Sequence, residues 1–96
     1  MILEVAILDV KEEMVPQFPR AFAEAEPILS SREGYISHQL QKCLEKEGRY
    51  LLLVTWEKLE DHTEGFRGSP EYQQWKALLH HFYEPIPEVE HYQLLA

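Results

Sequence analysis

The pattern of apolar residues predicts an α+β fold, one four-stranded antiparallel sheet with both helices on one face. Three observations carry this. Ile2 to Val10 and Arg49 to Glu57 read as strands that are apolar on both sides, as strands covered on both faces are. "EKEG" separates the second of them from Tyr35 to Leu44, and a short connection ending in glycine reads as a hairpin. In the remaining segments apolar residues recur at three- and four-residue spacing, the stripe of a helix packed on a core.

In the first strand Leu3, Val5 and Ile7 point to one side, and Ile2, Ala6 and Leu8 to the other. The stretch from Lys11 to Gly34 follows as a helix. Glu12 and Glu13 sit at its start, where the helix dipole favours acids, and Val15, Phe18, Phe22 and Ala25 or Ala21 form its stripe. Pro16 and Pro19 fit the first turn, Pro27 kinks the helix near its end, and Gly34 lets the chain turn. After the hairpin, "KLEDHTEGF" is a short helix with Leu59, His62 and Phe66 on one face. "RGSP" breaks it, and Pro70 opens a longer helix to Tyr83 carrying Tyr72, Trp75, Leu79 and Phe82. "EPIPE" stops that helix, and Val89 to Leu95 is the last strand. The order β-α-β-β-α-β is the split βαβ, or ferredoxin-like, arrangement, filling residues 1–96 as a single domain.

Composition narrows function by exclusion. A net charge of −8 argues against nucleic acid and against an anionic membrane surface, since both need clustered Lys and Arg. Cys43 is the only cysteine, so neither an internal disulfide nor a multi-cysteine metal cage can form. "MILEVAILDV" is too short to span a bilayer, is interrupted by Glu4 and Asp9, and lacks a basic leader region, so a cytoplasmic location is expected.

Two helical layers cover one side of the sheet, and nothing remains for the other. The bare face would be on the order of 400–500 Å² from strand spacing, the largest apolar patch most monomers tolerate. A homodimer joined sheet to sheet is therefore expected, the alternative being a face polar enough to stand alone, with Gln39 and Gln41 alternating beside Tyr35 and Cys43. Symmetric pairing about "EKEG" would put Ile36, His38, Leu40 and Leu44 with Leu51, Leu53 and Thr55 under the helices. Tyr50, Leu52, Val54 and Trp56, with Gln39 and Gln41, would then meet the partner.

The strings "GYISHQLQKC" and "RYLLLVTWEKLEDHTEGFRGSPEYQQWKALLHHFY" resemble the antibiotic biosynthesis monooxygenase family. The shared features are Gly-aromatic opening a strand, "WE" closing the hairpin, an acidic-His stretch, Phe66, "SP.Y" and a tryptophan-bearing helix. The resemblance spans nearly the whole chain and implies a dimeric α/β barrel with a ligand cavity between sheet and helices in each subunit. Members include cofactor-independent oxygenases of quinols and polyphenols as well as haem-degrading enzymes. The latter use an Asn on the first strand, a Trp on the short helix and a His on the next. Here "EVAIL" has no Asn, the short helix offers Gly65 and Phe66, and Trp75 falls near the position of that His, which argues against haem degradation.

Among residues that could do chemistry, His62 lies on the buried stripe of the short helix, where an imidazole can reach a pocket and exchange protons near neutrality. A histidine merely hydrogen-bonded in the core is the alternative. His38 would enter the same cavity as an acid–base or orienting partner, with a surface or purely structural role as the alternative. Phe66, Tyr72 and Trp75 are the expected cavity wall, where core packing is the alternative, and Arg67 could bind a carboxylate or phenolate, with a surface ion pair as its alternative. "LLHHFY" does not read as a metal site, because His80 and His81 diverge by roughly 100° on the helix and neither shares the buried stripe. Both are expected to be solvated, and His91 has no partner at ligand spacing.

The resulting expectation is a small homodimeric monooxygenase that oxidises a phenol- or quinol-type aromatic with O2, without metal or flavin. His62 would remove a proton, Tyr72 would hydrogen-bond the substrate oxygen, and His38, Phe66, Arg67 and Trp75 would bind the substrate. The rival is a dimeric barrel that binds a ligand, or serves structurally, without turnover.

Overall fold

In the computed structural model, which describes residues 1–96, the four strands are β1 (Ile2–Asp9), β2 (Tyr35–Lys42), β3 (Arg49–Trp56) and β4 (Val89–Tyr92). They pair antiparallel throughout in the order β2-β3-β1-β4, so the two strands richest in Ile, Leu and Val lie in the middle. Two helices, α1 (Phe18–Ser30) and α2 (Pro70–Leu79), cover one face. Phe18 of α1 packs tilted against the Tyr50 ring at 4.8 Å, and Phe22 meets Trp75 of α2 at 5.9 Å, which fixes the helices on the sheet and on each other.

Local chemistry sets the helix ends. The segment expected as one helix from Lys11 begins instead as a 3-10 turn, Glu12–Gln17, and becomes α-helical only at Phe18. Pro16 and Pro19 lack amide protons and break the donor ladder there. Phe18, Phe22, Ala25 and Leu29 are the buried stripe, and Pro27 is held inside the helix without ending it. Asp61–Phe66 forms a π-helical turn, with the Arg67 amide donating to His62 O at 3.1 Å. It buries His62 and Phe66 but leaves Leu59 39% exposed. Helix α2 stops at Leu79 and tightens into a 3-10 turn over His80–Phe82, short of the expected Tyr83. Strand β4 also ends early, at Tyr92 rather than Leu95. Tyr92 pairs with Leu3, one residue from the start of β1, so the chain beyond it has almost nothing left to pair with.

The face assignment is the main correction. Tyr50, Leu52, Val54 and Trp56 lie under the helices, between 0 and 6% exposed, and do not face outward. The hairpin pairs Lys42 with Tyr50, Leu40 with Leu52 and His38 with Val54, one residue away from the symmetric register about "EKEG". The Cys43 amide donates to Arg49 O at 2.9 Å, so the loop is the five residues Leu44 to Gly48, and Gly48 adopts φ +83° to close it. A one-residue slip moves every side chain of a strand to the other face. A bulge then makes Ile36 an extra residue and returns Tyr35 to the helix side, edge-on to Trp56 at 6.3 Å. The open face therefore carries Leu3, Val5, Ile7, Leu51 and Leu53, with Thr55, Ser37, Gln39 and Gln41.

Candidate functional site

Between the sheet and α2 lies a cavity of about 180 Å³. Its floor is the helix-side face of β1 and β3, namely Glu4, Ala6, Leu8, Leu52 and Val54. Phe66, Tyr72 and Trp75 form an aromatic wall: Phe66 stands edge-on to Tyr72 at 5.2 Å and to Trp75 at 5.8 Å. Ser69 holds this wall in place by accepting from the Tyr72 amide at 3.2 Å as the N-cap of α2 and donating to Phe66 O at 2.6 Å.

The polar end of the cavity centres on Glu4, a residue the sequence reading passed over. Its side chain is only 8% exposed. The Trp56 indole N–H donates to Oε1 at 2.9 Å, and His62 Nε2 stands 3.3 Å from the same oxygen, so Oε2 has no protein partner. Burial raises the Glu4 pKa, opposed by the Trp56 hydrogen bond and the Arg67 charge. The usable signal was phase: Glu4 alternates with Ala6 and Leu8, on the side that β1 turns to the helices.

His62 is 3% exposed, stacked on the Trp56 ring at 5.5 Å, and its Nδ1 is 2.8 Å from His91 Nε2. Burial, with the Arg67 and His91 charges adding to it, holds its pKa down to about 3, so at neutral pH the ring is uncharged. One of its nitrogens then carries the proton, and the other accepts. Glu4, His62 and His91 make a row rather than a convergent cage, and no group of three His, Cys, Asp or Glu side chains could hold a metal ion.

The structure brings His62, Phe66, Arg67, Tyr72 and Trp75 to this one cavity. Arg67 is largely exposed, pairs with no carboxylate, and is the one permanent cation of the lining. His38 is not part of the lining. It bridges the Tyr35 hydroxyl at 2.6 Å and Glu26 at 2.7 Å, tying β2 to α1. Thr55, expected beside it, is on the open face. His80 is not solvated as expected. It lines the cavity half-buried, and burial, then Lys76, lowers its pKa, whereas His81 is exposed. Tyr83 also lines the cavity, and burial raises its pKa, so its phenol stays protonated as a donor. The 3-10 tightening after Leu79 turns His80 and Tyr83 inward, which an unbroken helical wheel does not anticipate.

The sequence profile described as antibiotic biosynthesis monooxygenase matches residues 1–78. YczJ of Bacillus subtilis strain 168, an uncharacterised protein, is 60% identical over 93 residues, covering 97% of this chain and 98% of its own. A Bordetella bronchiseptica protein, provisionally described as an antibiotic biosynthesis monooxygenase, has a crystal structure similar at a TM-score of 0.93 and 29% identity. The match covers 99% of this chain and 97% of that one. SnoaB of Streptomyces nogalater, a cofactor-independent oxygenase, is similar at a TM-score of 0.85 and 15% identity over 99% and 93% of the two chains, a likeness of fold.

Proposed function

The chain belongs to the antibiotic biosynthesis monooxygenase family, and from that premise we propose that it is a cofactor-independent monooxygenase of small phenol- or quinol-type aromatics. The observation that carries the reading is a buried carboxylate with one free oxygen, Glu4 Oε2, at the end of an aromatic-walled cavity. A group of raised pKa in a dry site is a better base than an exposed carboxylate. The Trp56 indole N–H holds Oε1, leaving Oε2 to accept the substrate hydroxyl proton. Arg67 stabilises the oxyanion that forms, and Tyr72 or Tyr83 donates to its oxygen. The electron-rich substrate anion then reduces O2 and combines with it. The resulting hydroperoxide loses water to give a carbonyl, so one oxygen atom ends in product and one in water. All electrons come from the substrate. The cavity of about 180 Å³ suits one substituted ring, since a pocket of about 150 Å³ admits benzene.

A homodimer through the open sheet face belongs to the same reading: it would cover Leu3, Val5, Ile7, Leu51 and Leu53 while leaving the cavity in each subunit. One observation favours turnover-free binding instead. Both ring nitrogens of His62 already face partners, as in a satisfied core histidine. Oxygen uptake over a panel of one-ring and fused-ring quinols separates the two. Glu4→Gln should lower uptake about 10²–10⁴-fold, and His62→Ala should lower it as well. Uptake on no substrate, or uptake equal to wild type in both variants, would favour the binding-only reading.

A further inference from the structure

We infer that Glu4, His62 and His91 form a proton wire joining the cavity to solvent at the β4 edge, with His91 as its outer terminal. The inference rests on the cavity being a place where a bound hydroxyl is ionised, and it assigns the route that proton takes.

Glu4 lies at the inner end and is too buried to exchange with bulk water directly once a ligand fills the cavity. Its other neighbours offer no exit. The Trp56 indole has one N–H and no acceptor, and Arg67 does not give up its proton. His62 alone has a nitrogen on each side, Nε2 3.3 Å from Glu4 and Nδ1 2.8 Å from His91. The inner contact, at 3.3 Å, is not aligned as a hydrogen bond, and it is the link that must tighten for the wire to conduct. His91 is half-buried on β4, an edge strand paired only with β1. It does not line the cavity, and its Nδ1 has no protein partner, which leaves that nitrogen to water.

The charges around the middle ring decide how the wire conducts. Burial, Arg67 and His91 all disfavour a His62 imidazolium. Once the protonated carboxyl turns to present its O–H to the ring, a proton must therefore enter at Nε2 as another leaves from Nδ1, so the ring only changes tautomer. His91, whose pKa burial and Arg67 also lower, accepts that proton and loses one from Nδ1 to water. The tautomer left behind, Nε2–H toward Glu4 and His91 Nε2–H toward His62, is set to carry a proton inward. One proton leaves when the substrate hydroxyl ionises, and one returns to protonate the peroxide before water departs. The cycle closes with no net proton.

The test is anaerobic, so it does not depend on oxygen chemistry. The protein is mixed with 4-nitrophenol, whose phenolate is coloured, and a pH-indicator dye in a stopped-flow instrument. In the wild type, the proton should reach the dye as fast as bound phenolate forms. In His91→Gln and His91→Phe its release should lag about 10²-fold, the scale of a positioned proton-transfer group, with the extent of ionisation unchanged and added imidazole restoring the rate. Ring nitrogen spectra should show His62 uncharged from pH 5 to 8, with its tautomer balance altered in His91→Gln. Ionisation with wild-type release in both variants would overturn the wire and leave the oxygenase reading standing. Binding of nitrophenol without ionisation would overturn both. Normal wild-type coupling with no oxygen uptake on any quinol would support the wire while removing the oxygenase reading.

Discussion

His62 and Glu4 pull the pH dependence of folding in opposite directions, and the difference can be measured. The unfolded chain binds a proton at His62 near pH 6.5 that the folded chain refuses until about 3. Stability is therefore lost as pH falls below about 6.5, at about 1.4 kcal/mol per pH unit from this group. Glu4 has a raised pKa in the fold, so its contribution is lost as pH rises through the ordinary carboxylate value of 4.5. The two slopes offset each other where they overlap. Thermal melts between pH 4 and 7 should show Glu4→Gln losing Tm more steeply on acidification than the wild type, and His62→Gln less steeply. An unchanged slope in both variants would contradict this. Residue by residue, the aromatic wall was legible because Phe66, Tyr72 and Trp75 fall on helical stripes. Glu4 was not, because a lone carboxylate in an apolar run looks the same whether it faces water or a pocket until the strand's covered side is known.

Elements were legible in kind and order, but their junctions were not. Each strand and helix announces itself through periodicity, while register depends on how many residues the loop between two strands spends. The symmetric reading of "EKEG" missed by one residue and so exchanged the faces of β3. The volume under two helices is what Tyr50 and Trp56 fill, and only the buried side offers the Trp56 N–H its carboxylate partner. At the "RGSP" junction the local chemistry is more explicit. Ser69 satisfies the Tyr72 amide, and its hydroxyl donates to Phe66 O, so one side chain joins the π-helical turn to α2. Ser69→Ala should cost about 1 kcal/mol, read as a lower midpoint in urea, and Ser69→Asp should recover part of it by retaining the acceptor. Equal stability of all three chains would mean that the cap contributes nothing here.

For the whole molecule, the deciding dimension is the shortest one. The fold measures 36 × 34 × 19 Å, and 19 Å is one helix layer on one sheet. The open side of that sheet presents Leu3, Val5, Ile7, Leu51 and Leu53 in adjacent strands, with Ile7 47% exposed. A patch on the order of 400–500 Å² in this position invites a second copy of the chain. Because the sheet twists, the copies would cross at an angle, with the glutamines of β2 toward the rim. Sedimentation at low micromolar concentration should give a dimer for the wild type and a monomer for Leu53→Lys combined with Val5→Lys, with far-ultraviolet circular dichroism unchanged. Both substitutions lie on the open face, away from the cavity lining. Charge sharpens the prediction. Two chains that each carry −8 repel at long range, so the wild-type dimer should tighten as salt is raised from low to moderate concentration. A dimer held chiefly by ion pairs would loosen instead. A wild type that sediments as a single chain across that range would show that the sheet's open face stands alone in water.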